Sequence, residues 1–443
     1  MSAEGRPAHH CPDEALAPAP LERLQRDKLA RLWAQLTPEN EFYLRKFSGV
    51  TFDPQRDPLS ALPFTTRAEL ETDQLAAPPY GRCRSAPFDR FVRVHQTSGS
   101  QGRPLRWPDT ARNWDWWKHC WNIIFHAAGV DAGDTLVFAF SFGPFIGFWS
   151  AFEAAASRGC RCLPAGGMTT AARLRYLFDH NATVVCCTPT YALHLAEVAA
   201  TENLPLRESA VRTLLVAGEP GGNIPATRAA IERAWGARVV DHAGMTEIGP
   251  WGFEEPSAPG ALHLIESEFI AEVVQPRGDA LVADGELGEL VLTSLGRIDS
   301  PLIRYRTGDL VRRAPRACIA GRWFSRFEGG VLGRADDMLF IRGNNVFPSA
   351  IEGILRELEG LAEFRLEVSK RGGLAELALV IEPAAGADRD AVAAAAERAV
   401  RDRLNFRPSV RLAAPGELPR FEMKARRLVH TPATGAPPAE DQR

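Results

Sequence analysis

The sequence predicts an α/β protein with a large N-terminal domain, built on mostly parallel sheets, and a small α+β C-terminal domain. Three observations support this fold class. Short apolar runs alternate with helical segments between residues 135 and 241, shorter β-type segments begin near residue 262, and helix–strand alternation returns after residue 333. Near-continuous apolar strands separated by helices are typical of a parallel sheet covered on both faces. The length of 443 residues also exceeds what one hydrophobic core usually supports.

Each element follows from a local pattern. Apolar residues at helical spacing predict helices, and short apolar or alternating runs predict strands. The predicted helices span 21–36, 114–128, 170–180, 191–201, 225–235, 348–358 and 389–404. The predicted strands span 135–140, 160–164, 182–188, 213–217, 237–241, 288–294, 364–369 and 376–382.

Composition sets the predicted domain bounds. Residues 1–20 are rich in Ala, Pro and His, and we expect them and the tail 431–443 to be poorly ordered. Residues 21–333 form the predicted large domain, which includes a β-rich part from about residue 262. Residues 334–430 form the predicted small domain.

Bulk properties exclude several functional classes. A net charge of −3 gives no electrostatic basis for binding nucleic acid or an anionic membrane. The N-terminus has no secretory pattern, and no apolar run approaches the roughly 18 residues that span a bilayer, so we expect a cytoplasmic protein. The eight cysteines lack the spacing of a zinc or redox site, which favours buried thiols in a reducing compartment.

A hydroxyl- and glycine-rich loop follows the β-type run 91–94. Its glycines allow close approach of backbone N–H groups to a ligand, and its hydroxyls and guanidinium add donors for phosphate oxygens. It differs from the GxxxxGK[ST] pattern of P-loop NTPases, and alone it is equally typical of a surface turn. The candidate phosphate-binding residues are Thr97, Ser98, Gly99, Ser100, Gln101, Gly102 and Arg103.

Three loops follow predicted parallel strands, at 188–190, 217–222 and 241–247. Ligands of such sheets bind beyond the carboxyl ends of the strands. The carboxylate of Glu247 suits Mg²⁺, with the donor Thr246 beside it. The other candidates in these loops are Ala217, Gly218, Glu219, Pro220, Asp241, His242, Ala243, Gly244 and Met245.

Further motifs lie toward the C-terminus. The segment 305–310 (Tyr-Arg-Thr-Gly-Asp-Leu) places Asp309 after a predicted glycine turn, where its carboxylate could accept both hydroxyls of a ribose. Gly-Arg-Ala-Asp-Asp at 333–337 precedes the change of domain character, and Pro-Arg-Phe-Glu-Met-Lys-Ala at 419–425 lies near the end. Taken singly, each motif could be a turn, a helix cap or a surface salt bridge.

Taken in order, these motifs resemble the adenylate-forming acyl-activating superfamily, and within it the phenylacetate–CoA ligase family. The resemblance runs from about residue 21 to 429, and the stretch 336–348 resembles the phenylacetate branch in particular. It implies an enzyme that uses ATP and Mg²⁺ to convert an aromatic acid into an acyl-adenylate. Coenzyme A then displaces AMP.

The resemblance also implies roles for particular residues. Lys424 matches the catalytic lysine that bridges the carboxylate and the α-phosphate, and Asp336 matches the hinge on which the small domain swings. Asp309 matches the ribose ligand and Arg334 a nucleotide-binding arginine. Glu247 matches the Mg²⁺ ligand, and Thr246 a phosphate donor.

Some positions depart from the family pattern. Ala243 replaces a tyrosine that often stacks on adenine, Arg103 stands where lysine is common, and Gln101 replaces a threonine. Some relatives carry a Cys/His zinc site after the Thr-Glu motif. Here that region offers His263 and glutamates without a nearby cysteine, so we expect no zinc.

The acyl pocket is expected along the aromatic stretch 140–149, with Ala217 and Gly218 as its floor. Phe142, Phe145 and Phe148 are the candidate contacts to a flat acid. The sequence leaves two alternatives open: transfer of the acyl group to an amine or a carrier-protein thiol, and a non-catalytic nucleotide-binding relative. The resemblance is also compatible with a homodimer.

Overall fold

The computed structural model of the protein describes residues 12–97, 103–341, 344–371, 374–421 and 425–431. Its helices include two that match their predicted bounds, 225–235 and 389–404. The helices are α1 (Pro18–Glu39), α2 (Glu41–Lys46), α3 (Arg67–Ala76), α4 (Ala111–Ala128), α5 (Trp149–Ser157), α6 (Thr170–Asp179), α7 (Pro189–Thr201), α8 (Pro225–Trp235), α9 (Pro348–Arg356) and α10 (Arg389–Leu404).

The strands divide between the two predicted domains. The large domain contains β1 (Phe91–Gln96), β2 (Arg106–Thr110), β3 (Thr135–Phe138), β4 (Arg161–Pro164), β5 (Val184–Cys187), β6 (Thr213–Ala217), β7 (Arg238–Met245), β8 (Gly249–Glu254), β9 (Ala261–Leu264), β10 (Phe269–Val274), β11 (Leu287–Ser294), β12 (Tyr305–Arg312), β13 (Arg326–Glu328) and β14 (Gly333–Arg334). The small domain contains β15 (Leu339–Ile341), β16 (Asn344–Val346), β17 (Leu361–Arg371), β18 (Leu374–Pro383), β19 (Ser409–Leu412) and β20 (Leu428–His430).

The central sheet has eight strands in the order β13-β9-β8-β7-β6-β5-β3-β4. The strands from β7 to β4 pair in parallel, and β8, β9 and β13 continue the sheet in antiparallel fashion. Alternate residues of β5 enter different cores: Val184 and Cys186 pack into one cluster, and Val185 and Cys187 into the other. The prediction of a mostly parallel sheet covered on both faces is therefore confirmed.

Smaller sheets complete the fold. A four-stranded antiparallel sheet, β10-β11-β12-β14, forms the β-rich part of the large domain, and β1 and β2 form a hairpin. The small domain has the sheet β16-β15-β18-β17-β20, with β19 paired to β18. The change from one sheet to the next falls between Arg334 and Leu339, so Arg334 belongs to a strand of the large domain. Asp336 lies in the link between them.

The structure corrects part of the predicted N-terminal tail. Pro12–Ala15 forms a 3₁₀ helix, and α1 begins at Pro18 rather than after residue 20. Glu14 is buried, and its Oε2 accepts a hydrogen bond of 2.8 Å from Arg322 Nε. Arg322 is distant from Glu14 in sequence, so the composition of residues 1–20 does not reveal this ion pair. Residues 1–11 and 432–443 of the predicted tails lie outside the described residues.

Other corrections concern where strands end. The strand predicted at 237–241 continues to Met245, because its last four residues pair with β8. Asp309 does not follow a turn, since Tyr305–Arg312 is one strand with an irregularity in its pairing to β11. Gly308 sits in that irregularity at a φ of +75°, and a Cβ there would lie 2.6 Å from Arg334 Nη2. Among the described helices, none is long and apolar enough to cross a membrane.

Candidate active site

The Thr-Glu motif lies at the carboxyl edge of the parallel strands, where Tyr305 of the 305–309 motif contacts it. β7 carries residues 241–245 and turns through Thr246, Glu247 and Ile248 into β8. Asp241 to Met245 therefore lie in a strand, and only Thr246 and Glu247 lie in the turn. Ala243 and Met245 are half-buried and Gly244 is exposed, so this edge is accessible beside a buried Glu247.

Glu247 is held by the tyrosine of the 305–309 motif. Tyr305 Oη donates to Glu247 Oε1 at 2.9 Å, and both side chains are buried. Burial, and then the Glu247 carboxylate, raise the pKa of Tyr305 well above its usual value, so the hydroxyl remains a donor at neutral pH. Among the described residues, Glu247 Oε2 accepts no hydrogen bond. A buried carboxylate with one oxygen that no described residue occupies suits a hard cation such as Mg²⁺.

Thr246 is anchored by a buried ion pair that the sequence analysis missed. Arg297 Nη1 donates to the Thr246 carbonyl at 2.6 Å, while Nε and Nη2 bind both oxygens of Asp109 at 2.8 and 2.6 Å. The side chains of Arg297 and Asp109 are both 0% exposed. Burial raises the pKa of Asp109, and Arg297 offsets only part of this effect. This pair joins the Thr-Glu turn to β2, the strand that follows the phosphate loop.

Asp241 and His242 are buried residues of β7. Asp241 accepts hydrogen bonds from Asn223 Nδ2 and from the His242 N–H, and a Cβ on Gly222 would lie 2.4 Å from its Cγ. Burial, and then the nearby Glu254 carboxylate, raise the pKa of Asp241 to about 7. Its carboxylate is thus packed by protein groups, whereas the sequence assigned it to nucleotide contact.

The ring of His242 is enclosed in the same way. Its Nδ1 lies 2.7 Å from the Gly252 carbonyl, and its ring centroid is 4.4 Å from that of Trp121. Burial lowers the pKa of His242 to about 4, so the ring is neutral at pH 7 and Nδ1–H donates to the carbonyl.

The two ends of the predicted phosphate loop are joined by two hydrogen bonds between Thr97 and Leu105 and by the side chain of Arg67. The Thr97 N–H donates to the Leu105 carbonyl at 2.9 Å, and the Leu105 N–H donates to Thr97 Oγ1 at 3.0 Å. Arg67 Nη2 donates to the Arg103 carbonyl at 3.0 Å and lies 3.5 Å from Thr97 Oγ1. Arg67 was not among the predicted residues. Ser98, Gly99, Ser100, Gln101 and Gly102 lie outside the described residues.

Asp309, Arg334 and Asp336 form one charged group. Arg334 Nη1 donates to Asp309 Oδ1, and its Nε donates to Asp336 Oδ1, each at 3.1 Å. Burial alone would lower the pKa of Arg334, but the carboxylates of Asp309 and Asp336 raise it above its usual value. The predicted ribose ligand, nucleotide-binding arginine and hinge therefore lie together.

The loop after β6 contacts both α7 and the small domain. Gly218 has a φ of +94°, and the next residue, Glu219, accepts the Thr190 N–H at 2.8 Å with Oε1. Its Oε2 accepts the Ala425 N–H at 2.6 Å. Gly218 and Pro220 are exposed, and Ala217 is half-buried at the end of β6. Lys424 itself lies outside the described residues.

The predicted acyl pocket contains a cluster of aromatic rings. Phe142 packs against Phe140 at 4.4 Å between centroids and meets Trp149 and Phe152 edge-on at 4.8 and 5.5 Å. Phe148 is buried behind Phe140 and also packs against Trp121, so its packing does not support direct contact with a ligand. Phe145 is half-buried in the loop before α5.

His263, the histidine of the region where some relatives bind zinc, is fully buried and stacks on Phe253 at 5.5 Å. Neither ring nitrogen has a hydrogen-bond partner within the described part of the chain, and burial lowers its pKa to about 4. No cluster of three potential metal ligands occurs among the described His, Cys, Asp and Glu residues. The expectation of no zinc stays a prediction.

Sequence comparisons agree with this geometry. Residues 58–296 match the model of the AMP-binding enzyme family, and residues 343–431 match that of the AMP-binding enzyme C-terminal domain. The chain is 31% identical over 379 residues to the phenylacetate-coenzyme A ligase of Escherichia coli K12, with 84% of each chain covered. It is 29% identical over 435 residues to that of Thermus thermophilus, covering 92% of this chain and 96% of the relative.

The chain belongs to the phenylacetate–CoA ligase family of adenylate-forming enzymes. It is an acid–thiol ligase that forms an acyl-adenylate from ATP and transfers the acyl group to coenzyme A. Its small-molecule substrates therefore include ATP and CoA.

Solved structures of 2-hydroxyisobutyryl-CoA ligase in two states differ in their similarity to this chain. In the postadenylation state, that ligase has a TM-score of 0.89 to this chain, at 27% identity and with 97% of this chain and 95% of that one covered. In the thioesterification state, the score is 0.71 over 97% of this chain and 95% of that one, at 28% identity. At nearly the same coverage, this structure is thus more similar to the postadenylation structure of that ligase than to its thioesterification structure.

Proposed function

We propose that the protein activates an aromatic acid, of the aryl or arylacetic class, with ATP and Mg²⁺ before transfer to coenzyme A. The observation that supports an aromatic acid is the cluster of aromatic rings around Phe142. It follows β3, whose carboxyl end lies at the same sheet edge as Ala217 and β7. Ring edges and faces in this cluster suit a flat, apolar substrate through edge-to-face contacts.

The roles of the site residues are part of this proposal. Glu247 binds Mg²⁺, which neutralises the phosphates, and Thr246 donates to a phosphate oxygen. Asp309 accepts the ribose hydroxyls, with Arg334 beside it, and the loop 97–103 surrounds the polyphosphate. Lys424 stabilises the charge that develops as the acid attacks the α-phosphate. Phe142 and Phe145 contact the acid over the floor formed by Ala217 and Gly218.

The nucleotide base has fewer stacking partners than in relatives with a tyrosine at position 243. Ala243 is half-buried, and the exposed Gly218 and Pro220 lie on the neighbouring strand's loop. We therefore assign adenine contact to the 218–220 backbone. Asp241 and His242 support this surface from the buried side of β7. The homodimer that the resemblance allows stays a prediction.

A short branched hydroxy acid is a second candidate substrate. It is favoured by the similarity to 2-hydroxyisobutyryl-CoA ligase, which extends over nearly the whole chain. Phe142, packed by Phe140, Trp149 and Phe152, also fills space in the pocket region, which suits a smaller acid.

A substrate panel separates these candidates. Purified protein is incubated with ATP and Mg²⁺ and with benzoic, phenylacetic, hydroxyphenylacetic or 2-hydroxyisobutyric acid, and release of pyrophosphate and AMP is followed with and without CoA. We expect CoA-dependent AMP release with an aromatic acid, and loss of turnover when EDTA removes Mg²⁺. Turnover restricted to 2-hydroxyisobutyric acid would favour the second candidate, and no turnover with any acid would contradict the proposal.

A further inference from the structure

The C-terminal segment 419–431 forms hydrogen bonds to the large domain. Within its described part, all of these hydrogen bonds go to α7 or to the loop after β6. Arg420 Nε lies 3.3 Å from Glu197 Oε2, the Ala425 N–H donates to Glu219, and Arg427 Nη1 lies 3.2 Å from Thr190 Oγ1. Glu197 is 45% exposed, so its contact is weak. The other two contacts share one location, the N-terminus of α7.

Glu219 is the group that joins these elements. One carboxylate oxygen accepts the N–H of Thr190, a residue in the first turn of α7, and the other accepts the N–H of Ala425 in the small domain. A carboxylate at a helix N-terminus is favoured by the helix dipole, which fixes Glu219 on the large domain. Charge-assisted hydrogen bonds are stronger than neutral ones, so its second oxygen is a firm acceptor for a group from the other domain.

The Ala425 N–H belongs to the peptide unit that joins Lys424 to Ala425. Since that unit is planar, fixing its N–H restricts where the backbone of Lys424 can lie. On the other side of Ala425, Arg427 is buried and pairs with Glu352 and Glu363 of its own domain at 3.0 and 2.8 Å. The backbone that presents the Ala425 N–H to Glu219 is therefore anchored two residues later, at Arg427.

We propose that Glu219 is a positioning residue for the adenylation half-reaction, which holds the Lys424 segment against the large domain and releases it when the small domain swings for thioester formation. This inference rests on the proposed role of Lys424. It also revises the sequence assignment of Glu219, whose two oxygens face backbone donors of the protein rather than a ligand.

The alternative is that Glu219 only caps α7. A cap affects the stability of the whole large domain and would slow both half-reactions alike, whereas a domain contact affects only the half-reaction that needs it. The Glu219→Gln variant keeps the size of the side chain but removes its charge and places an amide N–H₂ against one of the two donors. Glu197→Gln is the matched control, because Glu197 also contacts the small domain but is exposed.

Two measurements test the proposal. For Glu219→Gln we expect pyrophosphate release to slow by about 10- to 100-fold, while conversion of supplied acyl-adenylate and CoA to acyl-CoA stays within about twofold of wild type. Glu197→Gln should change either rate by less than about twofold. Equal slowing of both half-reactions with a lower Tm would leave Glu219 as a helix cap, and unchanged rates would overturn the proposal outright.

Trypsin gives a readout that needs no acid. Arg420, Lys424, Arg426 and Arg427 are cleavage sites within the segment, and exposed Arg277 in the large domain is an internal reference. Cleavage follows the population of the open form when opening is fast. We expect Glu219→Gln to be cut in the segment about tenfold faster relative to Arg277, and Glu197→Gln to match wild type. An unchanged cleavage rate in Glu219→Gln would contradict the proposal that Glu219 holds the segment. If wild type turned over no acid in the substrate panel, that result would contradict the proposed function alone.

Discussion

The two sides of the active site are held by contacts of different kinds. On the large-domain side, Arg297 and Asp109 form an ion pair with no exposure to solvent, and Tyr305 holds Glu247 within the core. On the small-domain side, a backbone hydrogen bond to Glu219 and an exposed pair with Glu197 hold the segment next to Lys424. Breaking a buried pair costs several kcal/mol, whereas an exposed pair contributes at most about 1 kcal/mol.

This difference fits an enzyme that runs two reactions at one nucleotide site. The groups that we propose to bind nucleotide and cation must keep their geometry through both half-reactions, and their support is buried and reaches from β2 to the Thr-Glu turn. The groups that we propose to serve only adenylation must leave, and their contacts are few and can exchange with water without unfolding the chain. Variants on each side should therefore have different effects.

The strongest test of the comparison is Arg297→Ala. The variant leaves Asp109 buried without its partner and frees the Thr246 carbonyl. We expect the free energy of unfolding to fall by about 3–5 kcal/mol and both half-reactions to be lost. Denaturant titration measures the stability, and the two half-reactions are assayed separately.

An exposed ion pair serves as the control. Arg175 and Glu202 pair at 2.5 Å, with side chains 61% and 36% exposed. Arg175→Ala should change the stability by less than about 1 kcal/mol and leave activity intact. If Arg297→Ala were equally mild, the large-domain side would not be the rigid half of the site.

Lys424→Ala tests the mobile side. Loss of a cation that stabilises transition-state charge typically costs about 100- to 1,000-fold, so pyrophosphate release should fall by that factor. Thioester formation from supplied acyl-adenylate and the Tm should both stay near wild type. Arg426 is a suitable control, since it is an exposed cation two residues away, and Arg426→Ala should retain both activities. Unchanged pyrophosphate release by Lys424→Ala would remove the proposed catalytic role.

The fold was largely predictable, because local patterns determine it. Apolar runs predicted the parallel strands, and helices 225–235 and 389–404 were predicted with their bounds. Errors arose where distant pairing decides the outcome. β8 extends β7 to Met245, and Arg322, more than 300 residues away in sequence, orders the segment around Glu14.

The site shows the same division. Motif order assigned Thr246, Glu247, Asp309 and Arg334 to one nucleotide site. In the structure, Tyr305 joins Glu247 to β12, and the β12–β14 pairing brings Asp309 to Arg334. Their supports escaped prediction, since Arg297 and Asp109 are separated by 188 residues and neither lies in a recognisable motif. An isolated arginine gives no sign of burial until the fold is known. No local signal identifies the pair, because Asp109 has Arg112 three residues away and Arg297 has Asp299 two residues away.

Asp241→Asn tests whether a second carboxylate on the large-domain side of the site is buried. We expect the smallest effect from this substitution. Burial raises the pKa of Asp241 in the folded protein to about 7, well above the usual value of an aspartate, so the folded protein binds the proton more tightly than the unfolded chain. The stability that this proton contributes is fully present below the unfolded pKa and is lost as pH rises through 7. Between pH 5 and 8, wild type should therefore lose about 2 kcal/mol relative to Asp241→Asn. Denaturant titrations of both proteins across this pH range measure the difference. A difference between wild type and Asp241→Asn that stays constant with pH would mean that Asp241 is solvated in the folded protein and accessible to nucleotide, as the sequence first suggested.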